Sequence, residues 1–192
     1  MITDEIKSDI DRAVDVLRKG GIVLYPTDTV WGIGCDATND EAVKRIFAIK
    51  QRAEAKAMIT LVDGLPMLER FTESVPDVAE QLIEESVSPV TVVLDKPSGL
   101  AASLLAPDGS AGFRVTGETY SRELCHRLRK PIVSTSANIS GRPTPRFFHE
   151  IEQEVIDAMD YVASYRRDDT QPRRSSSVIK ISDDATFQIL RK

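Results

Sequence analysis

Three polar clusters in this 192-residue chain bring together groups that can bind a charged small molecule. The first, Tyr25 to Gly32, reads YPTDTVWG and packs hydroxyls, a carboxylate and an indole into a few positions. Such a cluster is either a small-substrate pocket or a turn in which Thr27 and Asp28 bond their own backbone. The second holds Lys50, Arg52 and Lys56, with Glu54 the one acid between them. Cations suit a helix C-terminus. Three so close together also suit phosphate, since Arg offers a planar fork and Lys a mobile point charge. That site is expected to be exposed, so that Lys50→Ala or Arg52→Ala lowers turnover of a phosphate-bearing ligand and leaves the fold intact. The third cluster is STSANISG from Ser134 to Gly141, followed by Arg142, Pro143 and Thr144. Hydroxyls, an amide and a glycine after an apolar run either cradle phosphate or ribose or form an ordinary Ser/Thr turn.

Other chemistries lack their residues. There is no GxxxxGK[ST] and no GxGxxG. Ser136 is not in a GxSxG elbow. His126 and His149 have no partner motif, and Cys35 and Cys125 are far apart with no CxxC spacing, which argues against a structural zinc. Without a poised acid or base, the favoured chemistry is one of positioning and charge neutralisation. Phosphoryl and nucleotidyl transfer work that way, with a metal ion carried by the phosphates.

The elements that must position these clusters follow from periodicity. Ile6, Ile10, Ala13, Val14 and Leu17 predict an amphipathic helix over 4–19, closed by Gly20 and Gly21. A buried strand is expected over 22–25, stopped by Pro26. Asn39 or Asp40 caps a helix reaching about Arg52. Strands are expected over 58–62, 89–94, 112–115, 131–134, 160–165, 177–181 and 187–190. Helices are expected over 65–71, 76–86, 121–129 and 147–159. Interleaved strands and helices of irregular spacing indicate an α/β class with a mixed, twisted sheet. Each cluster follows a strand, where α/β proteins place ligands.

The length suits one domain over 1–192. No apolar run approaches the roughly 20 residues of a spanning helix, and the charged N-terminus has no signal-peptide core. A cytoplasmic protein with no membrane association is expected. The net charge of −5 argues against a dedicated nucleic-acid-binding domain. Basic residues nevertheless gather at 44–56, 122–130, 142–146 and 166–174, and a basic cavity in an acidic protein suits a nucleotide.

Taken in order, the clusters resemble the YrdC/TsaC family of threonylcarbamoyl-AMP synthases. YPTDTVWGIGCDATN is similar to its YPT(D/E)TVYGLG segment, IKQRAEAKAMITLV to its KxRPxxKPL segment, and PIVSTSANISGRPTP to its SANxSG segment. The resemblance covers residues from about 8 to 192. It implies an α/β fold with a large, basic, concave pocket. The implied ligands are L-threonine, bicarbonate and ATP with Mg²⁺, for tRNA threonylcarbamoyladenosine modification, with no metal held by the protein itself. By motif, Lys50 and Arg52 are catalytic, and Thr29 and Arg114 meet L-threonine. Arg52, Lys56, Ser134, Ser136 and Asn138 face ATP, with Ser110, Thr144, Ser176 and Arg191 as weaker placements. Implied partners are the downstream tRNA threonylcarbamoyl transferase proteins, with weak tRNA or double-stranded RNA binding. Several positions depart from the family: Ala53 and Ala57 replace prolines, SVSPVT replaces WPGPLT, Trp31 replaces a tyrosine, and Leu61 stands where some members carry histidine. Two alternatives stay open: a YciO-like protein of the same fold, and an RNA- or nucleotide-binding module without synthase activity.

Overall fold

The computed structural model describes residues 2–51, 58–182 and 186–192. In chain order the elements are α1 (Asp4–Arg18), β1 (Val23–Tyr25), β2 (Gly32–Gly34), α2 (Asp40–Lys50), β3 (Ile59–Val62), α3 (Leu65–Leu68), α4 (Asp77–Glu85), β4 (Val90–Leu94), β5 (Ala111–Val115), α5 (Thr119–Leu128), β6 (Ile132–Ser136), α6 (Gln153–Asp157), β7 (Tyr161–Val162), β8 (Ser177–Ile181) and β9 (Phe187–Arg191). The nine strands form one mixed sheet in the order β7-β1-β2-β6-β3-β5-β4-β8-β9. No described helix is long and apolar enough to cross a membrane.

Local chemistry explains the starts of the main helices. Thr3 accepts from the Ile6 amide at the head of α1, and Asn39 from the Ala42 amide at the head of α2. Ile10, Ala13, Val14 and Leu17 bury one stripe of α1, which packs on α5 and against β1 and β7. Phe113 and Val92 are paired and face the core, as do Val133 and Ile33. Both cysteines are buried, and burial pushes their thiols well up from the usual range.

β2 is the element that the periodicity did not reveal. It is a Gly-Ile-Gly strand, a poor strand former by composition. The two glycines make room for Tyr25, whose hydroxyl donates to the Val133 carbonyl at 3.1 Å. A Cβ on Gly34 would lie 2.3 Å from the Val133 oxygen and 2.6 Å from the Tyr25 ring. Gly34→Ala should therefore cost about 3 kcal/mol through overpacking, lowering Tm on the order of 6–12 °C. Gly117→Ala, whose Cβ meets nothing within 4 Å, should change Tm by about 2 °C or less. Equal melting of the two variants in a thermal scan would contradict this account.

The helix expected over 147–159 is replaced by a 3₁₀ turn at Phe148–Glu150 and the short α6. Phe148 packs against Trp31 with ring centroids 4.9 Å apart, and the Arg167 guanidinium also lies over the Phe148 ring. Ile151, buried in the core, is extended, so the helical run is interrupted. The strand expected over 160–165 shrinks to Tyr161–Val162. The Ser164 and Tyr165 amides leave the ladder and donate to the buried Asp9 carboxylate of α1, which also accepts from the Tyr161 hydroxyl.

Candidate functional site

A strand sends alternate side chains to opposite faces, and one face of this sheet forms the floor of a cleft of about 600 Å³. Gly32 of β2, Ser134 and Ser136 of β6, Gly112 and Arg114 of β5, Thr91 and Val93 of β4, and Val178 and Lys180 of β8 all point into it. The volume lies in the usual range for small-molecule sites. Its charged lining among the described residues is Arg114, Lys180 and Arg191 against Asp108, a positive balance inside an acidic protein.

The first cluster supplies one end. Thr27 makes the turn anticipated for it: its hydroxyl donates to the Val30 carbonyl at 2.7 Å and accepts from the Thr29 amide at 3.0 Å. Asp28 does something else. Its Oδ1 lies 3.0 Å from Arg114 Nη2, close enough for ion pairing but out of line for a hydrogen bond, so that Oδ1 has no aligned donor. Arg114 also donates to the Thr29 hydroxyl at 3.4 Å and to the Ser176 hydroxyl at 3.5 Å. The guanidinium is 3% exposed. Burial lowers its pKa, and the charge of Asp28 opposes that shift.

From Arg114 the polar floor continues outward. The Ser176 hydroxyl lies 2.9 Å from that of Thr91 and accepts from Arg191 Nη2 at 3.1 Å, while Arg191 Nε donates to the Ser176 carbonyl at 3.0 Å. Ser110 donates to Asp108 at 2.6 Å, and Lys180 holds the other oxygen of that carboxylate at 2.6 Å. The lysine and the serine together hold Asp108 far below the usual carboxylate range.

Eight of the twelve residues singled out from the sequence line this cleft: Thr29, Ser110, Arg114, Ser134, Ser136, Thr144, Ser176 and Arg191. Arg52 and Lys56 lie outside the described residues. Lys50 and Asn138 sit behind the wall. The expectation of an exposed Lys50 is corrected: the residue is 1% exposed, and its ammonium donates to the Ser136 and Asn138 carbonyls at 2.5 and 2.7 Å. The Ser140 amide returns a bond to the Lys50 carbonyl at 2.9 Å. Asn138 spends its amide on the Ile139 and Arg142 carbonyls, and its Oδ1 is buried without a partner. Lys50 and Asn138 thus shape the STSANISG loop from within. The signal was present in the helix period. Val43, Ile46, Phe47 and Lys50 share one stripe of α2, which places Lys50 on the buried side.

Thr91, Asp108 and Lys180 were not singled out. Thr91 and Lys180 are polar positions in the largely apolar strands VTVVL and SVIKI, and such a position is the mark that finds these two.

The family model named Sua5/YciO/YrdC, described as "Telomere recombination", matches residues 15–192. A threonylcarbamoyl-AMP synthase of Pseudomonas aeruginosa is 35% identical over 180 residues, covering 93% of this chain and 94% of that protein. A threonylcarbamoyl-AMP synthase of Cellvibrio japonicus is 32% identical over 166 residues, covering 85% of this chain and 87% of its own length. Among solved structures, P. abyssi Sua5 complexed with L-threonine superposes with a TM-score of 0.80 at 27% identity, over 90% of this chain and 50% of that one. This chain therefore spans about half the length of that Sua5. E. coli YciO superposes with a TM-score of 0.81 at 26% identity, over 95% of this chain and 88% of that one.

Proposed function

The chain belongs to the Sua5/YciO/YrdC family, and from that premise we propose that it is an L-threonylcarbamoyladenylate synthase acting on L-threonine, bicarbonate and ATP. The observation that carries this reading is the single cleft in which Thr29 and Arg114 adjoin Ser134, Ser136, Ser176 and Arg191. Similarity over most of the chain to proteins named threonylcarbamoyl-AMP synthase supports it.

The threonine amine attacks the carbon of bicarbonate, water leaves, and a carbamate forms. A carbamate oxygen then attacks the α-phosphorus of ATP and pyrophosphate departs. No side chain needs to become a nucleophile. The protein's share is to hold three reactants in register, which is worth on the order of 7–11 kcal/mol in well-oriented cases. In this reading Arg114 meets the amino-acid carboxylate, and the hydroxyls of Ser134, Ser136 and Ser176 meet the nucleotide. The donors fit a Mg²⁺ that arrives on the phosphates better than a resident one: they are hydroxyls plus one carboxylate, Asp108, already held by Lys180. Mg²⁺ would supply charge neutralisation for the departing pyrophosphate. The product would pass to the transferase proteins of tRNA modification in the cytoplasm, with at most weak contact to RNA.

Pyrophosphate release from ATP with bicarbonate should require L-threonine, fail with serine, and yield a product with the mass of threonylcarbamoyl-AMP. Release independent of threonine would overturn the reading.

A further inference from the structure

The Asp28–Arg114 pair is left incomplete on both sides. An acid in a turn usually bonds its own backbone. Asp28 instead reaches across to β5, and its Oδ2 accepts from the Gly117 amide at a long 3.4 Å. A guanidinium has five N–H donors. Here two of its contacts are long, at 3.4 and 3.5 Å, and Nε is buried with no partner. Buried polar groups are ordinarily satisfied. An orphaned Nε–H beside an open cleft marks a guanidinium that is short of one acceptor, whereas the unaligned Asp28 Oδ1 lacks a donor, which a carboxylate does not supply. Arg114 lines the cleft and Asp28 does not.

We propose that Asp28 is a positioning residue for the amino-acid substrate: it anchors one edge of the Arg114 guanidinium and leaves the remaining donors for an incoming carboxylate. This rests on the reading in which Arg114 meets the carboxylate of L-threonine. Two effects of opposite sign compete. A neighbouring anion weakens the attraction of Arg114 for a second carboxylate. An unanchored guanidinium in a buried site, however, has no counter-ion and turns away from it. At 3.0 Å and 3% exposure the anchoring effect wins, because little solvent is there to take over the role of Asp28.

The test compares L-threonine with L-threoninol, which keeps the amine and the side-chain hydroxyl but has an alcohol for the carboxylate. In Asp28→Asn, L-threonine should bind about tenfold more weakly, the effect of one charge-assisted contact. Threoninol and ATP affinities should stay within about twofold, so the preference for the carboxylate collapses. Asp28→Glu, which keeps the charge on a longer arm, should recover part of it. A merely structural role would weaken both ligands alike. Equal loss for both, unchanged threonine binding, or tighter threonine binding would each overturn the proposal. If Asp28→Asn does not fold, Asp28→Glu carries the test, and an unaltered threonine-to-threoninol ratio overturns it. A native protein that binds no L-threonine at all would sink the synthase reading and this inference together. Native binding with an unaltered ratio in the variants would sink only the inference.

Discussion

Arg114→Ala is expected to lower kcat/KM for L-threonine by roughly a hundred- to a thousandfold, about 3–4 kcal/mol. Two losses add. The substrate carboxylate loses its cation, and it meets instead the Asp28 carboxylate, 13% exposed, whose charge then repels it with no counter-ion and little water to screen it. The Thr29 and Ser176 hydroxyls lose a donor as well. ATP affinity should change much less, because Arg191 still holds Ser176 from the other side. Arg114→Lys should recover little, since an ammonium cannot span Asp28, Thr29 and Ser176 at once. Steady-state pyrophosphate release against threonine concentration, with ATP binding measured in parallel, checks this. Turnover within a few-fold of the native protein would remove Arg114 from the substrate site.

Lys50→Met is expected to cost about 3 kcal/mol of stability and on the order of 6–12 °C in Tm, and to depress turnover. The stem of the side chain is replaced nearly in kind, so the loss isolates the ammonium. Without it, the Ser136 and Asn138 carbonyls are left facing a thioether. The loop between them must rearrange or stay unsatisfied, and Ser136 moves with it. A charged donor bonded to two carbonyls is among the stronger arrangements available to a side chain. A thermal melt, read beside ATP turnover, separates this role from direct phosphate contact. A variant that melts like the native protein but turns over poorly would return Lys50 to the phosphates.

These two residues show what the sequence made legible. Arg114 was reachable through motif order, and the cleft that holds it was implied by hydroxyls following strands. Its partner was not, because nothing in YPTDT distinguishes an acid that caps its own turn from one that crosses to residue 114. Lys50 was found as a cation but put on the wrong side of the wall. Its charge suits the cleft, but its helical phase is that of Ile46 and Phe47, which are both buried. β2 escaped because its residues are chosen for the space that they leave to Tyr25, a tertiary demand with no trace in propensity. The 147–159 segment read as helix because its local pattern is helical. The Trp31–Phe148 contact and the buried Ile151 override that pattern.

The cleft has walls of unequal lifetime. Among the described residues β9 is the last strand of the sheet, bonded on one side only, and every residue in it is exposed. Gln188, Leu190 and Arg191 nonetheless form part of the enclosure. Edge strands open by local fluctuation at a lower free energy than the strands between them. Arg114, on β5, is flanked by β3 and β4 and opens only when the sheet itself gives way. The end of the cleft near Thr29 therefore keeps its shape between turnovers, while the end near Arg191 can admit and release a ligand without disturbing the rest of the fold.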